Sequence, residues 1–381
     1  MNAVVIGAGM IGTVHASAVR AVGGTLRGVV ASTPARSARL AQEWDAVVTY
    51  PDLDSVLDDP AVDVVHVCTP NALHPAQAAA ALRAGKHVIC EKPMATGVAD
   101  ARMLEATVAA CDRVLAIPFV YRYHPLVREI QARVEQGEFG AWQLIHGSYL
   151  QDWMLSAQST NWRVDADRGG RSRAFADIGS HWCDLVEWAA GIRFAEVTAR
   201  LAVTRPERPV REAQTFGPVG TQVRAPAAPV STEDVAAVLL RTADGVLGSV
   251  TVSQVSAGRK NRLWFELDGA DGSAVFDQEQ PESIWLGGPK SSRIVVRDPA
   301  VGSPEQRRLA VLPAGHAQGY ADCFRAFVGD AYAAMAGEHV IGLPTAADGV
   351  RSAQLVDAVL RADDTLTWTP IAPELTEELA A

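Results

Sequence analysis

The apolar positions of the chain follow two different patterns. Over the first 120 or so residues, short uninterrupted apolar runs alternate with helical segments. "NAVVIG", "LRGVVAS", "VDVVHVCTP", "KHVICEKP" and "VLAIPF" lack polar alternation, the mark of strands buried on both faces. Between them the spacing predicts helices. One runs from about Ile11 to Val22 and is closed by "VGG"; "PARSARLAQEW" opens at Pro34 behind Ser32 and Thr33. "HPAQAAAALRAG" has Pro75 in its first turn and Gly85 at its end, and "GVADARMLEATVAA" follows. Strict alternation of this kind predicts a parallel, doubly wound α/β sheet.

Beyond residue 120 the pattern shifts. "HPLVREIQARVEQGEFG" reads as one amphipathic helix, "AWQLIHGSYLQDW" as a longer strand and "SHWCDLVEWAAG" as a second helix. Strand signals then recur at "VTARLAV", "EDVAAVLLRT", "GVLGSVTVSQV", "RLWFELDGADGSAVFDQ" and "SIWLGG", and the turn residues inside the fourth predict a hairpin. Residues 203–232, rich in Pro, Gly and Thr, read as a long surface loop, and "TAADGVRSAQLVDAVLR" as a closing helix. The expectation is α/β followed by α+β. Residues 1–120 form a dinucleotide-type domain, and residues 121–381 form a second domain on an open, largely antiparallel sheet, with the final helix packing back on the first.

Composition narrows the function classes. A chain of 381 residues is long enough for two cores. Five cysteines, Cys68, Cys90, Cys111, Cys183 and Cys323, are odd in number, scattered and without C-x-x-C, against a disulfide framework or structural zinc and for a reducing compartment. No basic leader and no span long enough to cross a bilayer is present, so the expectation is a cytoplasmic protein with no membrane partner. A net charge of -10 argues against nucleic acid.

The candidate chemistry begins at Gly7-Ala8-Gly9-Met10-Ile11-Gly12, a G-x-G-x-x-G turn between a strand and a helix. The first glycine makes the turn, the second admits a pyrophosphate and the third lets helix and strand close up, with helix N–H groups facing the phosphates. A carboxylate at the end of the second strand would grip the ribose of NAD. Here Ser32, Thr33 and Arg36 stand there instead, groups able to hold the extra phosphate of NADP, although hydroxyl and backbone groups also hold a bare ribose.

"CTPNALHPAQAAAALRAGKHVICEKPMA", "NWRVDADRGGRSRAFADIGSHWCDLVEWAAG" and "GSVTVSQVSAGRKNRLWFELDGADGS", together with the glycine turn, resemble the glucose–fructose oxidoreductase / inositol dehydrogenase / MocA family over nearly the whole chain. The resemblance implies a Rossmann domain joined to an α/β domain whose open sheet binds substrate and builds homodimers or homotetramers. It implies hydride transfer between a nicotinamide cofactor and a hydroxyl of a sugar, cyclitol or glycoside. NAD is favoured by analogy with glycoside-oxidising relatives, with NADP left open.

The resemblance also implies a catalytic set of Lys92 from E-K-P and Asp177 and His181 from D-x-G-x-H. A histidine suits removal of a hydroxyl proton, a carboxylate suits orienting it, and a lysine suits polarising the oxygen. Asp184, three residues after His181, would share that helix face. By the same resemblance Thr69, Pro70, Asn71, His74 and Glu91 line the cofactor, and Tyr121, Arg122, Tyr123, Trp162 and Arg163 lie near nicotinamide and substrate. Arg168, Arg171 and Arg173 depart from the family pattern and suggest an anionic substrate or a cofactor phosphate. Singly, these residues also read as surface cations, core aromatics, a helix cap or, for Asp177, His181 and Asp184, metal ligands. No second His or Cys stands at ligand spacing, so no metal is expected. Two other readings stay open: an oxidoreductive glycosidase that oxidises, eliminates and re-reduces, and a cofactor-binding regulator without chemistry.

Overall fold

A computed structural model describes residues 1–210 and 226–371 of the chain. The first sheet is built from β1 (Asn2–Ile6), β2 (Thr25–Val30), β3 (Val64–Val67), β4 (His87–Cys90) and the two-residue β5 (Leu115–Ala116), all parallel, in the order β2-β1-β3-β4-β5. The crossovers are α1 (Met10–Ala21), α2 (Pro34–Glu43), α3 (Leu53–Leu57), α4 (His74–Arg83) and α5 (Val98–Ala109). Val4, Val5, Val64, Val65 and Val88 are fully buried, which is why these runs need no polar alternation. Thr33 caps α2 by accepting the Arg36 N–H at 3.2 Å, with Pro34 in the first turn.

The second region carries α6 (Pro125–Glu135), β6 (Trp142–Leu150), the one-turn α7 (Ala166–Gly169), α8 (Ser180–Ala190), β7 (Phe194–Ala202), β8 (Glu207–Pro209) and β9 (Ala227–Pro229). It continues with β10 (Val235–Thr242), β11 (Leu247–Ser253), β12 (Arg262–Gly269), β13 (Ser273–Asp277), β14 (Ser283–Gly287) and β15 (Ser292–Val296). After these come α9 (Pro304–Leu309), α10 (Tyr320–Met335), α11 (Ala346–Thr365) and β16 (Thr369–Pro370). Nine strands form one sheet in the order β15-β14-β13-β12-β6-β11-β10-β7-β16. Every pairing in it is antiparallel except β6 with β11. Ile145, Leu263, Phe265 and Leu267 pack beneath α8, while the alternate residues of the same strands face away from that core.

Two expectations change. The stretch 203–232 is not all loop: β8 and β9 pair, because Arg208 is buried and bonds Asp234 and the carbonyls of Met154 and Ser159. Residues 211–225 of that stretch lie outside the described residues. Helix α10 was not anticipated. Phe324, Phe327, Val328 and Ala331 on it share a core with Val5, Val19 and Val64 of the first sheet and its helix. Likewise Val350 and Ala353 of α11 share a core with Val65 and Val88. Among the described residues no helix is long and apolar enough to cross a membrane. All five cysteines are unpaired thiols.

Candidate active site

The glycine turn is shaped by its own backbone. Gly7 has φ +102°, and a Cβ there would come within 2.3 Å of the Cys68 carbonyl oxygen. A Cβ on Gly12 would lie 2.2 Å from the Gly7 carbonyl oxygen, so these two positions are closed by packing. A Cβ on Gly9 would meet nothing within 4 Å, which is the open approach a pyrophosphate needs. Gly9 precedes α1, whose first N–H groups face the same space, and Met10 is exposed while Ile11 is half-buried. The turn fits a dinucleotide. Beside it, Arg36 reaches back to the Ser32 hydroxyl at 3.5 Å and the Ala8 carbonyl at 3.4 Å, so Ser32, Thr33 and Arg36 form one exposed cluster with no carboxylate.

The carboxyl ends of β3 and β4 carry the next layer. His74 places its ring nitrogens 2.8 Å from the Thr69 carbonyl and 2.9 Å from the Pro93 carbonyl, tying the two strand ends together around Pro70. The Thr69 hydroxyl donates to Gln77 at 2.6 Å, and Asn71 is buried, donating to the Gly169 carbonyl at 2.9 Å. The Lys92–Pro93 peptide is cis.

The helix carrying D-x-G-x-H starts with a π turn, Phe175–Gly179, which runs into α8. The Glu233 carboxylate accepts the N–H groups of Arg173 and Phe175 and the Ser172 hydroxyl, all within 3.0 Å, and so satisfies the donors at this buried helix start. The wide turn sets Asp177 against Lys92. Lys92 Nζ donates to Asp177 Oδ1 at 2.7 Å and to its carbonyl oxygen at 2.8 Å. Gln254 Nε2 donates to the other carboxylate oxygen at 2.9 Å, and Arg163 Nε lies 3.5 Å from Oδ1. Burial alone would raise the Asp177 pKa, but Lys92 and Arg163 outweigh it and hold the carboxyl well below its usual range.

His181 follows one helical turn later, walled by Phe119 at 5.6 Å and Tyr121 at 5.0 Å between ring centroids. Burial, reinforced by the Lys92 charge, holds its pKa well below the ordinary histidine value against a smaller opposing pull from Asp177. The ring is therefore neutral at physiological pH, and its buried Nδ1 has no hydrogen-bond partner. The expected carboxylate-to-histidine hydrogen bond is absent among the described residues, because Asp177 is engaged by Lys92 and Gln254 instead.

Tyr121, Tyr149 and Asn261 close a hydrogen-bonded ring: Tyr149 donates to Asn261 at 2.7 Å, Asn261 donates to Tyr121 at 3.1 Å, and the hydroxyls lie 2.7 Å apart. Tyr121 thus lines the wall behind His181 with its hydroxyl already spent. Gln254, Tyr149 and Asn261 were not singled out from sequence. The local signal for Gln254 is its place between Val252 and Val255, just past the alternating run of β11.

Other expected site residues lie elsewhere. Arg122 is buried and paired with Asp184 and Asp348, the latter at 2.6 Å, so Arg122 latches α8 to α11 and Asp184 is drawn away from the Lys92 group. Tyr123 is buried against Arg128 and Phe327. Arg173 is buried on Asp234, which also holds Arg208. Arg171, with 71% of its side chain exposed, stands 3.5 Å from exposed Asp364, and Arg168 is exposed. Trp162 and Arg163 do sit together, the guanidinium 4.3 Å from the indole centre. The side chains best placed to share a cation are His146, Glu266 and Asp268, cross-strand neighbours on the face of β6 and β12 turned away from α8.

A parallel sheet with this glycine turn at its first crossover is that of a dinucleotide-binding protein. Residues 1–119 match the family model of oxidoreductases with an NAD-binding Rossmann fold, and residues 127–275 match the Gfo/Idh/MocA C-terminal domain. A levoglucosan dehydrogenase from Pseudarthrobacter phenanthrenivorans is 31% identical over 97% of this chain and 98% of its own. An inositol 2-dehydrogenase from Acidothermus cellulolyticus is 29% identical over 72% of each. Among solved structures, levoglucosan dehydrogenase in complex with NADH superposes with a TM-score of 0.89 at 29% identity, over 98% of this chain and all of that one. The chain belongs to the Gfo/Idh/MocA family and is an NAD(P)-dependent oxidoreductase.

Proposed function

We propose that the chain transfers hydride between NAD and the carbon bearing a ring hydroxyl of a neutral sugar, cyclitol or glycoside, with Lys92 and His181 handling the hydroxyl proton and Asp177 fixing Lys92. The observation that carries this reading is the Lys92–Asp177 pair at the carboxyl end of β4, beside the neutral ring of His181. When bound, the nicotinamide supplies the hydride acceptor or donor. Two of the three Lys92 ammonium protons are committed to Asp177, which aims the third outward to polarise a substrate oxygen. A neutral imidazole always keeps one acceptor nitrogen, so His181 is competent to take a hydroxyl proton, and for carbonyl reduction the same groups return it.

NAD is favoured over NADP by the NADH-bound relative, and Arg36 leaves NADP accessible. A neutral substrate is favoured because Arg173 is buried against Asp234, Arg122 is buried against Asp184, and Arg171 stands beside Asp364. Levoglucosan and inositol, named for the two relatives, are the first candidates. Residues 1–120 serve the cofactor and residues 121–381 the substrate. Leu144, Leu239 and Leu247, exposed on the outer face of the large sheet, suit burial against a second copy in a homodimer or homotetramer, and the unpaired thiols suit the cytoplasm. The test is a panel of these polyols and simple glycosides, each with NAD and with NADP, followed by nicotinamide absorbance and product analysis. A ketone formed with one reduced cofactor is the expected result. Release of an aglycone with catalytic cofactor would refute the dehydrogenase reading.

A further inference from the structure

Behind Lys92 runs a row of four titratable side chains that the proposed chemistry leaves unused. His15 on α1 and His66 on β3 are fully buried, and Glu91 and Tyr332 nearly so. His66 shares with Val64 and Cys68 the strand face that α10 covers, and Phe324 of that helix packs its ring 4.7 Å from His15. An apolar residue at either histidine would pack there without the cost of burying polar atoms, so the pair calls for an explanation.

The contacts form one line. Glu91 Oε2 accepts the Lys92 main-chain N–H at 3.1 Å, and Glu91 Oε1 lies 3.1 Å from His15 Nε2. His15 Nδ1 lies 2.8 Å from His66 Nδ1, and His66 Nε2 lies 3.0 Å from the Tyr332 hydroxyl. Three elements and the residue that follows β4 supply the members, and Tyr332 stands 266 residues from His66.

With Glu91 ionised and both rings neutral, one arrangement of protons satisfies every contact, whereas a protonated Glu91 would reverse every donor. An ionised Glu91 only accepts, so His15 must carry its proton on Nε2. His15 Nδ1 is then an acceptor, so His66 must carry its proton on Nδ1. His66 Nε2 is then an acceptor in turn, and the Tyr332 hydroxyl donates to it. Each donor points toward Glu91. Burial holds His66 well below its usual pKa and raises that of Tyr332, so the ring stays neutral and the hydroxyl keeps its proton. Burial would raise Glu91, but His15 and Lys92 outweigh it. The other titratable groups facing the row are Asp63 beside Tyr332, and His74, Cys68, Cys90 and Tyr320 around Glu91.

We infer that Tyr332, acting through His66 and His15, is a positioning residue that keeps Glu91 ionised and its carboxylate fixed on the Lys92 main chain. Its link to catalysis rests on the proposed function. Loss of the Tyr332 hydroxyl leaves His66 Nε2 with no donor and removes the reason for its Nδ1–H tautomer. If the His66 proton moves to Nε2, His15 must donate through Nδ1 and turn a bare nitrogen on Glu91. The carboxylate then takes up a proton more readily, and the anchor on Lys92 weakens.

The test is nitrogen-15 NMR of the histidine rings in the full chain, with carbon-13 observation of the Glu91 carboxyl assigned through Glu91→Gln. In the natural protein His66 should carry its proton on Nδ1 with Nε2 bare, and His15 should present Nε2–H to Glu91 and a bare Nδ1 to His66. Tyr332→Phe should mix the tautomers of both rings together and move the Glu91 titration upward by about one pH unit. On whichever polyol is turned over, it should lower kcat about 3–10-fold with a smaller change in KM, because Lys92 is displaced while the substrate contacts remain. The opposite tautomer on either ring overturns the inference, and so does a Tyr332→Phe protein whose tautomers and Glu91 titration are unchanged. The natural protein's spectrum decides this even if the variant does not fold. The NMR results stand whether or not any sugar is oxidised, so failure of the proposed function is seen separately in the substrate panel.

Discussion

Lys92 and Asp177 are 85 residues apart in the chain and 2.7 Å apart in the fold. Their side chains are about seven-eighths buried, at 12% and 13% exposure, so the pair is little screened by solvent. It joins the end of a parallel strand in the first sheet to the π turn that opens α8 in the second region. The pair thus ties the first sheet to the second region.

The glycine turn gives a prediction with an internal control. A side chain at Gly9 enters open space, whereas one at Gly12 collides with backbone. Gly9→Val should therefore fold with a melting temperature close to that of the natural protein and lose NADH binding by calorimetry. Gly12→Val should lower the melting temperature itself. Equal NADH affinity in a folded Gly9→Val protein would remove the turn from the cofactor site.

Arg173 is predicted to be structural. Truncating one partner of a buried ion pair costs about 3–5 kcal/mol, tempered here because Asp234 keeps Arg208 and the Thr204 hydroxyl at 2.9 Å. Arg173→Ala should lower stability by about 3 kcal/mol in denaturant titration, and the protein that remains folded should keep its substrate KM. A large rise in KM at unchanged stability would return Arg173 to the substrate site.

Acid stability follows from the buried histidines. Burial pulls His124 down to about 4, and His66 and His181 are also held low. In the unfolded chain such rings titrate near about 6.5. Below that pH the unfolded state binds protons that the native state refuses, so stability falls as the pH drops from about 6.5 toward 4 and returns as it rises. His124 alone would account for roughly 3 kcal/mol across that window. Melting curves from pH 4.5 to 7 should show this slope, and His124→Gln should flatten it. A slope left unchanged by that substitution would contradict the assignment.

The parts legible in sequence were those fixed by local patterning. The G-x-G-x-x-G turn, the buried parallel strands and the β12–β13 hairpin need only neighbours in the chain, and E-K-P and D-x-G-x-H were visible as motifs. What escaped depends on distant partners. Arg122 and Arg173 look available in sequence, and only the fold sets Asp184, Asp348 and Asp234 against them. His15 and His66 read as isolated polar residues in apolar runs, because Tyr332 lies on a helix that returns to the first sheet from near the end of the chain.

The proposed hydride transfer rests on proton handling by Lys92 and His181, and the most direct test measures turnover and cofactor binding in the same variants. Lys92→Ala and His181→Ala should each lose about 10²–10⁴-fold in kcat on the substrate found in the panel, while binding NADH within a few-fold of the natural protein by calorimetry. Near-normal turnover in either variant, with cofactor bound, would contradict it.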